Sequence, residues 1–309
     1  PHFRLTLIRG ALLRVSSHLQ VMAMSQAGKS HLFQLFVRGI TETNDTVLWV
    51  GDPIKAAETC AGILPAFDRL EITAGGINKM MSDIERIITF RTRFLSQVRI
   101  NGERITGWQP GCGLPILVVW IEESRMALAG SEKWTQLAMA ALSSGIILID
   151  STQRADHEAK KTSARAQYAS AICGGVKDEI DQSFVLPGYI ADQVKCYEWG
   201  TKYPGRFIQD CACSPEELKV RPWRTYFAPD MQRENEAAIR ANAPGMAQLD
   251  EGSRSVCNDY VQHPGMEIFG WTAADGDGEP DVSVIVQSVR PERSVRPAVP
   301  AQSVRPASH

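Results

Sequence analysis

The sequence predicts an α/β fold, a mostly parallel sheet flanked by helices, and three observations predict it. Apolar runs suited to strands buried on both faces alternate with helical patterns. The first such run leads into Gly28-Lys29-Ser30, and two later runs end on polar residues, Glu122-Glu123 and Thr152-Gln153-Arg154. A chain of 309 residues with 44% hydrophobic content can also bury one large core or two modest ones.

The first expected strand, 18–24, runs into Ser25-Gln26-Ala27-Gly28-Lys29-Ser30 and then into an amphipathic helix with Leu32, Leu35, Phe36 and Ile40 on one side. Strand, tight loop and helix start together form a phosphate cradle. Consecutive backbone N–H groups and the helix N-terminus face the anion, a lysine reaches the outer phosphates, and a hydroxyl serves Mg²⁺. Ser25 to Ser30 and His31 are the candidate nucleotide-binding residues, with Ser30 also a metal ligand. The full pattern has Gly where this chain has Ala23; one methyl is tolerable there if φ stays negative.

Strands are expected next at 46–51 and 68–73. Between the third and fourth strands, Ile77, Met80, Met81, Ile84, Ile87, Ile88, Phe94 and Leu95 follow the three-four spacing of one buried helix face. Asp83, Glu85, Arg86, Arg91 and Arg93 lie mostly off that stripe and read as a solvated face. Arg91, Arg93 and Arg99 carry the alternative of touching a neighbouring subunit or a phosphate backbone.

The fourth strand, 115–121, delivers Glu122 and Glu123 at its C-terminal end, the edge where open α/β sheets bind ligands. One carboxylate there can hold Mg²⁺ and the next can orient an attacking water. Glu122 is assigned to the metal and Glu123 to the water, against the plainer reading that two acids open a helix. The fifth strand, 145–151, ends on Thr152, Gln153 and Arg154. A glutamine beside a γ-phosphate can sense it and hold water in line, so Gln153 joins Glu123 as a catalytic candidate.

Beyond 151 a charged helical stretch (157–170), a short apolar run (170–174) and a hairpin around Lys202–Arg206 are expected, with Pro204-Gly205 as its turn. Residues 1–228 are expected to form the main domain and 229–280 an irregular extension. Ser-Val-Arg-Pro recurs at 288, 294 and 303, which predicts a disordered tail over 281–309. Seven cysteines without a Cys-x-x-Cys pair fit neither a disulfide framework nor a zinc site and point to the cytoplasm. A net charge of −2 gives no overall footprint for nucleic acid, so DNA contacts would be local. No apolar run is long enough to cross a bilayer. The chain opens on Pro1 rather than Met, so a membrane anchor upstream, in a longer form, is allowed for.

Taken together, Ser25–Ser30, Val47-Leu-Trp-Val-Gly-Asp-Pro53, Pro115–Glu123 and Gly145–Arg154 resemble the FtsK/SpoIIIE-type DNA-pumping ATPases, in the FtsK/HerA group of RecA-like P-loop NTPases. The likeness is strongest to the actinobacterial plasmid-transfer branch and covers roughly residues 15–210. It implies a RecA-like core, ATP and Mg²⁺ as cofactors, and a ring-shaped homo-oligomer, usually a hexamer, threading double-stranded DNA. Glu122 stands where the family commonly has Asp, and Leu142 where relatives often carry Arg. An Arg common near Asp181–Phe184 is missing, leaving Arg154, Arg165 or Arg206 as substitutes. Ala23 and the missing arginines keep a degenerate ATP-binding switch in view, and secretion ATPases that share this core add a related motor that moves protein.

Overall fold

The computed structural model describes residues 17–124, 128, 132–153, 167–211, 215–225 and 230–270. Arg154, Arg165, Cys213, the charged stretch up to 166 and everything beyond Gly270, the repeat tail included, lie outside the described residues. Among the described residues there are ten strands: β1 Leu19–Met22, β2 Thr46–Gly51, β3 Arg69–Glu71, β4 Arg99–Ile100, β5 Glu103–Arg104, β6 Ile116–Ile121, β7 Ile146–Thr152, β8 Ser170–Cys173, β9 Arg206–Cys211 and β10 Trp223–Arg224. The longer helices are α1 Lys29–Thr41, α2 Ala74–Leu95, α3 Glu132–Ala140 and α4 Met231–Asn242. Eight strands form one sheet in the order β10-β9-β8-β1-β7-β6-β2-β3, parallel from β8 to β3 and antiparallel at β8-β9-β10.

The five expected core strands all exist, each within a residue or two of its expected ends. Their apolar runs are continuous because both faces are covered. Leu48, Val50, Val118, Trp120, Ile147 and Ile149 pack on the α1 side, while Val47, Trp49, Leu117, Val119, Ile146 and Leu148 pack on the α2 side. Trp120 sits 5.0 and 5.2 Å, ring to ring, from Phe33 and Phe36 of α1, which seats that helix over β6. The Thr73 side chain caps α2 by accepting from Gly76 N at 3.0 Å.

Two residues of α2 depart from the expected solvated face. Asp83 is buried and paired with Arg69 and Arg86, at 2.7 and 2.6 Å. Arg91 is fully buried: it donates to Pro115 O (2.9 Å), Ser253 Oγ (2.9 Å) and Asp250 Oδ2 (2.8 Å), so it is not available to a neighbouring subunit or to phosphate. Arg93 and Arg99 are exposed, and Phe94, expected on the buried face, is 38% exposed. The reason is tertiary: Arg69 of β3 reaches Asp83, and the C-terminal segment brings Asp250 and Ser253 to Arg91 and Asn258 N to Asp83, along a flank of α2 that periodicity alone assigns to water.

Within the stretch expected to be irregular from 229, α4 packs on α1. Ile239 enters the core on that face and Asn235 accepts from Arg38 at 2.8 Å. Leu249 then joins the core on the opposite face. The chain passes the β3 edge, where His263 N donates to Asp68 O at 2.9 Å and Tyr260 stacks on Trp49. An otherwise open sheet edge is thereby covered. The expected hairpin at Lys202–Arg206 is instead a turn that enters β9 from a 3₁₀ segment, Cys196–Glu198, with Gly200 and Gly205 at positive φ. β9 pairs with β8 and β10 rather than with residues before the turn.

Candidate active site

The loop between β1 and α1 is held by backbone bonds at both ends. Ala23 N donates to Thr152 O (3.2 Å), Met24 N to Gly175 O (2.8 Å), and Ala27 O accepts from Gly205 N (2.8 Å). Gln26 and Gly28 adopt positive φ, 64° and 99°. Gly28 is required: a Cβ there would lie 2.8 Å from Gly205 N. Ala23 is fully buried and keeps negative φ, and its methyl has room because residue 174 is glycine; a Cβ at Gly174 would approach it to 2.9 Å. The departure at Ala23 is thus absorbed by the strand beside it.

The N-terminus of α1 has no side-chain cap and no acidic residue in its first turn. Its orphan N–H groups and the positive end of its dipole are left for an anion. Ser25, Gln26 and Ser30 are exposed there, His31 is half-buried and Ala27 is buried.

Lys29 turns toward the strand ends. Its Nζ lies 2.8 Å from Glu122 Oε2 and 2.8 Å from Glu123 Oε1, with all three side chains largely buried. Burial works against the charge on Lys29, but the two carboxylates outweigh it, so its pKa is raised above the ordinary lysine value. Glu122 also accepts from Trp120 Nε1 (2.8 Å) and Ser151 Oγ (3.0 Å), and Glu123 accepts from Gln153 Nε2 (2.7 Å). The sheet order explains the convergence: β7 lies between β1 and β6, with Met22 opposite Thr152 and Asp150 opposite Ile121. Three C-terminal strand ends therefore open on one place. Glu122, Glu123, Gln153 and Lys29 are brought together as expected.

Glu123 has φ 46°, in the left-handed region where a non-glycine residue carries about 1–3 kcal/mol of strain. The bend turns its carboxylate toward Lys29, and the next residue, Ser124, donates a hydrogen bond to buried Asp150. Two carboxylates against one ammonium leave this buried group with one negative charge in excess, which suits a cation. Glu122 and Ser30 carry oxygen donors, a carboxylate and a hydroxyl, of the kind Mg²⁺ takes with phosphate oxygens and waters.

Trp120, Ser151, Ser124, Asp150 and the Gly205 turn are absent from the site read in the sequence. The period of two along β6 places Trp120 on the face of Glu122 and was available as a signal. Ser151 and Gly205 reach the site through tertiary neighbours that no local spacing encodes.

No protein-family model matches the sequence, and no curated protein does. Among solved structures, the chain is similar to the pCW3 conjugation coupling protein TcpA, monomer form with ATPγS, with TM-score 0.56 and 16% identity over 72% of this chain and 64% of that one. It is similar to the cytoplasmic domain of the Thermomonospora curvata type VII secretion ATPase EccC, with TM-score 0.55 and 13% identity over 76% of this chain and 29% of that one. ATPases 2 and 3 of EssC from Geobacillus thermodenitrificans give TM-score 0.55 and 12% identity over 74% and 44%. The chain spans just under two thirds of the coupling protein's length and less than half of either secretion ATPase. The chain accordingly has the RecA-like P-loop fold that its motifs predict, and its resemblance to FtsK/SpoIIIE-type ATPases stands at the level of that fold.

Proposed function

We propose that this chain is a Mg²⁺-dependent ATPase of the FtsK/SpoIIIE type whose hydrolysis moves double-stranded DNA through a ring-shaped homo-oligomer, a hexamer. The observation that carries the reading is the convergence of Lys29, Glu122, Glu123 and Gln153 beside an uncapped helix N-terminus. In this reading residues 25–31 cradle the phosphates and Lys29 leaves the carboxylates for the outer phosphates. Glu123, held by Gln153, takes the proton of the attacking water. Ser30 and Glu122 would hold Mg²⁺, which would supply charge neutralisation at the phosphates. DNA is contacted mainly through its phosphates, so binding falls steeply with salt. The working compartment is the cytoplasm, at a membrane if a longer form carries an anchor.

The arginine that would act across a subunit boundary is unassigned. Among the described residues Arg206 opens β9 and lies over Trp199 and Tyr203 of its own subunit. A second reading, a motor that moves protein, is favoured by the likeness to EccC and EssC, which are secretion ATPases. The switch reading loses part of its motive, since Ala23 fits the loop. Phosphate release measured with and without duplex DNA, with Lys29→Ala as control, separates the three. DNA stimulation supports the motor on DNA; stimulation by peptide alone supports the second; tight ATP binding without release supports a switch.

A further inference from the structure

Resting on the ATP-site reading above, the geometry points to the turn Trp199–Arg206 as the surface that takes the base and ribose of the nucleotide, with the Tyr203 ring as the stacking face. The direction of the triphosphate follows from the sheet. β1 has β7 and then β6 on one side and β8 and then β9 on the other. Glu122, Glu123 and Gln153, which act at the terminal phosphate, all come from β6 and β7. A triphosphate laid across the loop with its reacting end there sends its sugar and base toward β8 and β9.

The element standing on that side is the 199–206 turn, and it touches the loop directly. Gly205 N donates to Ala27 O at 2.8 Å, and a Cβ at Gly28 would lie 2.8 Å from Gly205 N, so the loop admits no side chain where the turn meets it. Behind it Thr225 N donates to Gly205 O at 2.8 Å, which fixes the turn from the far side. On this pinned turn sits a cluster of rings and cations. The Arg206 guanidinium lies 4.6 Å from the Trp199 ring centre and 5.6 Å from that of Tyr203, and Lys202 Nζ lies 5.3 Å from Tyr203. Trp199 is buried and anchors the group, whereas Tyr203 is 39% exposed. Lys202 is exposed and flexible, so it yields its place over the ring to a flat base and remains beside the ribose and inner phosphate. An exposed tyrosine with two cations within 6 Å of its ring, at the sugar end of a phosphate loop, matches a neutral π-system with an anion attached.

The test is calorimetric titration of the full chain with Mg-ATP and with inorganic tripolyphosphate, which has the phosphates and no base. Tyr203→Ala is expected to weaken ATP about ten-fold, as removal of a stacking ring does, to leave tripolyphosphate unchanged, and to be rescued by Tyr203→Trp. Undiminished ATP binding by Tyr203→Ala overturns the inference while leaving the phosphate loop intact. Equal weakening of both ligands also overturns it, since the turn then only shapes the loop. If the wild-type chain binds neither ligand and Lys29→Ala changes nothing, the ATP-site reading itself has failed and the inference falls with it.

Discussion

Gln153 Nε2 and Lys29 Nζ donate to the same oxygen of Glu123, at 2.7 and 2.8 Å. A single carboxylate oxygen is thus shared between the group that would sense the terminal phosphate and the group that would bind it. In the proposed mechanism a phosphate would draw Lys29 away, Gln153 would still fix Glu123, and the vacated position would take the water.

Glu123→Gln keeps the shape of this side chain and removes its basicity. ATP affinity should be retained while turnover falls by about 10²–10⁴-fold, the usual worth of a positioned base. Single-turnover phosphate release alongside equilibrium binding checks it; unchanged turnover would remove Glu123 from the chemistry.

Removing Lys29 leaves two carboxylates facing each other with their cation gone. Lys29→Ala should abolish ATP binding and also lower the stability of the nucleotide-free protein, by about 3–5 kcal/mol if the pair stays ionised. Urea unfolding of the nucleotide-free protein at neutral pH measures the deficit; an unchanged midpoint would show that the pair carries no stability.

The pH dependence set by Lys29 itself has a definite sign. Its pKa is raised above the ordinary 10.5 because Glu122 and Glu123 overcome burial. Its contribution is therefore complete below 10.5 and is lost as pH rises through the higher folded value. Melting temperatures of wild type and Lys29→Met should keep a constant difference from pH 7 to about 9 and converge only in strong alkali.

Gly174→Ala tests how the Ala23 departure is accommodated. A Cβ there meets Phe207 at 2.8 Å and the Ala23 methyl at 2.9 Å, so overpacking should cost about 1–3 kcal/mol. Adding Ala23→Gly to the same chain should restore part of the loss. Denaturation midpoints in a double-mutant cycle measure the coupling; strict additivity would show that the two positions do not compete for space.

Arg91 joins α2, the start of β6 and the C-terminal segment through Pro115, Asp250 and Ser253. Arg91→Met should destabilise the protein by about 3–5 kcal/mol, since Asp250 is left without its cation. Hydrogen exchange should accelerate over residues 246–256 before the sheet itself opens.

Much of this was legible in the chain before its fold was known. Runs such as Val47–Val50 and Leu117–Ile121, alternating with helical patterns, point to strands buried between helices, and a Gly-Lys-Ser start to a helix marks the strand expected to lead to phosphate. The order of the strand ends then brought Glu122, Glu123 and Gln153 to Lys29. What stayed hidden depended on distant neighbours. Asp83 and Arg91 read as solvated because their partners, Arg69 and Asp250, are remote in sequence, and the Pro204-Gly205 turn gave no sign that it would press on Gly28. The charge of a side chain states that it needs a partner or water; only the tertiary structure says which.

The placement of β7 between two parallel neighbours restricts how this chain can change over evolution. Residues 151 and 152 point to opposite faces, and Ser151 is the one that reaches Glu122. Inserting or deleting one residue within Ile146–Thr152 would invert every side chain after it, moving Ser151 off that acid and turning Gln153 from Glu123. Length variation among descendants of this sequence should therefore fall in the connections and spare that strand, however freely its aliphatic residues are exchanged.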